Sequence, residues 1–80
     1  MQKNNKGKKE YILNKVCTYF QHELHDNNEA ERAIKTILLG LNISVTVEQV
    51  CAEYEHQFGN DQPCCFNVFK LTDIILTLTE

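Results

Sequence analysis

Between Thr46 and Gly59 the chain carries a helix whose two ends can be read from the residues themselves. Val47, Val50, Cys51, Tyr54 and Phe58 recur at the spacing that places side chains on one helical face. Thr46 and Gln49 form a capping box at its start, in which the threonine hydroxyl accepts from a backbone N–H and the glutamine reaches back. Gly59 follows the last apolar residue as a stop. A stripe so bounded needs an apolar surface to lie on, and the rest of the chain must supply it. The outward face carries Glu48, Glu53, Glu55, His56 and Gln57, with Gln49 beside them. Such a face repels phosphates and suits a protein partner, so these six are the candidate partner-binding residues.

At 80 residues the chain forms one domain, which hides roughly 60% of the surface its unfolded form exposes. One core must then take nearly every apolar side chain, and Tyr54 and Phe58 are expected in it with Ile34, Ile37, Leu38, Val50 and Ile74. No apolar run approaches the ~20 residues that span a bilayer. Met1 to Lys9 is basic and leads into an amphipathic pattern rather than a secretory apolar segment. The expectation is a soluble, intracellular (cytoplasmic) protein with no membrane partner.

Four helices are expected. The first runs from about Lys9 to His25, with Leu13, Val16, Cys17, Phe20 and Leu24 in one stripe, widened by Ile12 and Tyr19. Asp26-Asn27-Asn28 stops it. Asn28 then reads as the cap of a second helix, with Glu31 completing a capping box and Glu29 in the first turn. Ala30, Ala33, Ile34, Ile37 and Leu38 form its buried face, and Gly40 reads as its stop. The alternation over Ile43–Val45 is compatible with a short strand and equally with a turn into Thr46. The two helices flanking this link read as a helix-turn-helix or any helical hairpin. After the turn residues Gly59-Asn60-Asp61-Gln62-Pro63, Val68, Leu71, Ile74, Ile75 and Leu78 repeat at helical spacing behind an Asn67 cap. The β-branched, alternating end at Leu76-Thr77-Leu78-Thr79 allows a terminal strand, but a helix over most of Asn67 to Glu80 is favoured.

Charge divides the chain. Lys3, Lys6, Lys8, Lys9 and Lys15 are five of the eight basic residues, leaving the first fifteen positions at about +4 and the remainder at about −7. Residues 1–8 read as a basic, mobile leader and residues 9–80 as the helical domain. Those five lysines are the candidate nucleic-acid contacts in the alternative reading; in the simpler one they are solvated and aid solubility.

Cys17, Cys51, Cys64 and Cys65 contain no C-x-x-C pair, and two are adjacent, a spacing that suits neither a zinc site nor an easy disulfide. Cys17 and Cys51 lie on apolar stripes as small hydrophobes. His22 and His25 would ligate a metal with Cys64 or Cys65 only if the fold gathered them, and they read instead as solvent-facing residues near a helix end. Reduced thiols, no metal and no cofactor are expected. Paired-carboxylate, Ser/His/Asp and glycine-rich phosphate motifs are missing, and two of the three glycines read as helix stops. Cys64 would be the nucleophile candidate, but a turn thiol is the simpler reading, and no enzyme is expected.

From about Glu31 to Leu78 the chain resembles a LOTUS (OST-HTH) domain, a small winged helix-turn-helix module of germline RNA-granule proteins. The resemblance rests on an amphipathic helix, a short apolar turn, a helix ending Glu53-Tyr54 followed by Gly59-Asn60 and Pro63, and the run Val68-Phe69-Lys70-Leu71 leading to Asp73-Ile74-Ile75. Val68 stands where the family has a glycine, and the family's wing strands have no counterpart before Glu80. The resemblance implies a mainly α fold with a helix-turn-helix-like core.

The expected function is a small non-enzymatic regulatory module that binds a protein through its acidic helical face. It would act as a LOTUS-like adaptor, or as a phage or mobile-element adaptor or inhibitor of a host protein. The alternative is a helix-turn-helix protein that binds RNA or DNA through the lysine tail. Glu48, Glu53 and Glu55 decide for the first, since they would oppose phosphates. A homodimer is compatible with either.

Overall fold

The computed structural model describes residues 5–20 and 26–79, with side chains from Gly7 onward. Lys3, His22, Leu24 and His25, the side chain of Lys6, and Glu80 lie outside the described residues. Four α-helices form a small mainly α domain: α1 (Asn5–Phe20), α2 (Asn27–Leu41), α3 (Val47–Phe58) and α4 (Val68–Thr79), with a 3-10 turn at Pro63–Cys65. Among the described residues there is no strand.

α1 begins four residues before the expected Lys9, so Lys8 is helical. Ile12 and Val16, one turn apart, are its buried pair. Cys17 and Leu13 are only half-buried, and Tyr19, expected to widen the stripe inward, is exposed. The stripe is therefore rotated toward Ile12, the side that meets α4 and α2.

α2 is capped two residues earlier than Asn28. Asp26 is extended, and its carboxylate accepts from the Glu29 N–H at 2.8 Å. The choice has a physical basis: a full negative charge suits a helix N-terminus, and Asn27 is engaged elsewhere, its Oδ1 accepting from the Cys64 N–H at 3.3 Å. Nor does Gly40 end the helix. It sits inside α2, and the left-handed residue is Asn42 (φ 59°), whose N–H bonds back to the last turn. The one residue added beyond it, Leu41, packs against the core.

Ile43 and Val45 are half-buried and Ser44 and Thr46 exposed, so the alternation is real. It forms no strand, because no second segment pairs with it; the two apolar side chains rest on the core instead. At the C-terminal end the threonines stay helical. Thr72 donates to the Val68 carbonyl at 2.7 Å and Thr79 to that of Leu76 at 3.0 Å, so their hydroxyls are satisfied inside α4.

α1 lies against α4 and α2, α3 mainly against α4, and α2 against the 3-10 turn. The pair that a helix-turn-helix would pack together, α2 and α3, touches only slightly. Ile34, Ile37, Val50, Leu71, Ile74 and Ile75 are fully enclosed. Tyr54 is 1% exposed and Phe66 7%. Phe58 is not buried as expected: at 36% exposure it stands at the end of α3, edge-on to Tyr54 and under the Lys70 ammonium at 5.1 Å. Phe66 fills the aromatic place in the core, held there by the 3-10 turn.

Candidate acidic docking face

The outward face of α3 is positioned by its two ends. The Gln49 N–H donates to Thr46 Oγ1 at 3.1 Å, and the Thr46 N–H donates to Gln49 Oε1 at 2.8 Å, so the capping box closes in both directions. At the other end Gly59 (φ 111°) takes a backbone conformation that side chains disfavour, and its N–H reaches the Glu55 carbonyl at 3.0 Å. With Val50 and Tyr54 turned inward, Glu48, Gln49, Glu55, His56 and Gln57 are exposed and Glu53 half-exposed.

These six residues divide by what holds them. Gln49 is committed to the cap. Gln57 donates to Glu53 at 2.7 Å, which fixes that carboxylate on the surface. Glu48 lies in the first turn and His56 in the last, each at the end of the helix dipole that favours it. Among the described residues the one ion pair is Lys9–Asp73, which involves none of the α3 carboxylates. Burial first, then the charges of Glu31 on α2 and Glu48 on α3, pushes the half-buried Cys51 thiol up from its ordinary value.

Of the five lysines of the nucleic-acid reading, Lys8, Lys9 and Lys15 have described side chains. Lys9 is 3.1 Å from Asp73, Lys8 reaches the Thr79 carbonyl at the end of α4 at 3.5 Å, and Lys15 lies over the Tyr11 ring at 5.7 Å.

The four cysteines are free thiols. Cys64 and Cys65 have their sulfurs 3.9 Å apart, and Cys64 is pushed up, first by partial burial and then by its neighbour's thiol. Among the described residues no three His, Cys, Asp or Glu side chains gather as metal ligands. No helix among them is long and apolar enough to cross a membrane.

Sequence reasoning missed a second surface, where α2 meets the link to α3. Lys35, Leu38, Leu39, Ile43, Val45 and Glu48 line a concavity there of about 320 Å³. Leu39 offers the one signal that could have revealed it, an apolar residue off the buried stripe of α2. No family model matches the chain, and no curated protein or solved structure is found to be similar to it.

Proposed function

We propose that this chain is a small non-enzymatic regulatory interaction module that docks a protein partner through the acidic outward face of α3. The observation that carries the reading is that Glu48 and Glu55, about two turns apart on one side of α3, are exposed, with Glu53 half-exposed on the other flank of the outward face, and that no cation is paired to any of the three among the described residues. Carboxylates that no cation neutralises on a rigid helix steer a basic surface toward them. The partner this face complements is therefore a protein with a basic patch. The resemblance to LOTUS domains over Glu31 to Leu78 supports the adaptor class, and a phage or mobile-element inhibitor would use the same face.

The nucleic-acid alternative is disfavoured by one specific observation. Lys9 is paired with Asp73 at 3.1 Å, so a phosphate there would compete with that carboxylate.

The test is capture from the native source with the wild-type chain and with a variant carrying Glu48→Lys, Glu53→Lys and Glu55→Lys, followed by mass spectrometry and nucleic-acid staining. A protein retained by the wild type and lost by the variant supports the reading. Retention of RNA or DNA that the variant strengthens would overturn it.

A further inference from the structure

The concavity between α2 and the link has three properties that make it complementary to itself. Its lining includes Leu38, Ile43 and Val45, and it is apolar. Leu39 at its lip is 70% exposed, more than any other large apolar side chain among the described residues. Lys35 of α2 and Glu48 of α3 also line it, and they do not pair with each other.

Lys35 and Leu39 are one helical turn apart and share a ridge of α2. Set against another copy of the same surface across a twofold axis, the ridge of each copy meets the groove of the other. Leu39 then leaves water, and each Lys35 faces the other copy's Glu48, so two charge pairs form together. A groove that carries both signs of charge and its own apolar ridge fits a second copy better than a partner of one charge.

We propose that this face is a self-association surface, on which two copies of the chain pack α2 to α2 with Leu39 seated in the facing groove. The inference does not rest on the docking role of α3. A dimer built here takes Glu48 of each copy into its own charge pairs and leaves Glu53 and Glu55 of both copies outside them.

The experiment is sedimentation velocity on the full chain over a concentration series, with helix content and thermal melting followed in parallel. The wild type forms a dimer as concentration rises, and Leu39→Glu, at an exposed position, keeps its fold and stays monomeric. Lys35→Glu and Glu48→Lys each place like charges opposite each other and raise the dissociation constant about tenfold. An equimolar mixture of those two variants regains the wild-type affinity, because each copy supplies the charge the other needs. Should Glu48→Lys disturb the start of α3, Glu48→Gln removes the pair without reversing it and weakens the dimer about threefold. A wild type that stays monomeric, a Leu39→Glu dimer of unchanged affinity, or a mixture no tighter than its components would overturn the proposal.

Discussion

The Tyr54 ring lies flat on Phe66, centroids 3.8 Å apart and planes 12° from parallel. The same tyrosine's hydroxyl accepts from the Asn67 N–H at 3.0 Å, so one side chain ties α3 to the residue that starts α4. Asn67 in turn caps α4, its Oδ1 accepting from the Phe69 and Lys70 N–H groups at 2.9 and 3.2 Å.

This joint sets the first prediction. Tyr54→Phe keeps the stack but leaves the Asn67 N–H without its acceptor, costing about 1–2 kcal/mol. Phe66→Ala, which empties a buried aromatic place, costs about 3–5 kcal/mol. Phe58→Ala, on the rim, costs clearly less than Phe66→Ala. Urea unfolding of the three variants orders them, and a Phe58→Ala loss equal to that of Phe66→Ala would contradict the packing.

The ends of α2 give the second. Asp26→Ala costs about 1 kcal/mol and Asn28→Ala close to nothing, because the Glu29 N–H is held by Asp26. Gly40→Ala stabilises by about 0.5–1 kcal/mol, since its added methyl would meet only the end of the Lys15 side chain, at 4.0 Å. Asn42→Ala, which must hold a left-handed backbone, destabilises by about 1 kcal/mol. Thermal melts of the four variants check the set, and a destabilising Gly40→Ala would show that the helix ends there after all.

Binding kinetics give the third. Charge reversal at Glu48, Glu53 and Glu55 slows association with the cognate protein and flattens its salt dependence, because rim charges act through steering. Reversal at the exposed Glu55 shifts stability by less than about 0.5 kcal/mol, and reversal at Glu48, in the first turn of α3, costs up to about 1 kcal/mol. Stopped-flow measurements over a salt series are the check, and an association rate indifferent to the reversals would remove the docking role of this face.

The thiols give the fourth. Cys51 is raised above its ordinary 9.0, so the folded state holds that proton more tightly than the unfolded one. Its contribution to stability is whole below the unfolded value and declines as pH climbs from there toward the raised folded value. Chemical unfolding of wild type and Cys51→Ala across the alkaline range isolates the effect as a gap that narrows with rising pH. A gap that widens would mean the thiol is stabilised as thiolate.

What the residues determined alone were the features made by neighbours three or four positions apart. The Thr46–Gln49 box, the Gly59 stop and the Asn67 cap were legible because donor, acceptor and backbone lie within one turn. So was the acidic face of α3, as the complement of its apolar stripe. Wherever several nearby residues could serve, the tertiary structure chose. Asp26 became the cap of α2 while Asn27 bonded to Cys64, thirty-seven positions away. Phe66 took the aromatic place in the core ahead of Phe58, because the 3-10 turn carries it onto Tyr54 while Phe58 sits where α3 runs out. Lys9 and Lys8 met their partners in α4, Asp73 and the Thr79 carbonyl, more than sixty positions away. The groove beside Leu39 is made where the link Ile43–Val45 lies beside Lys35 and Leu38 of α2, a shape no local spacing encodes.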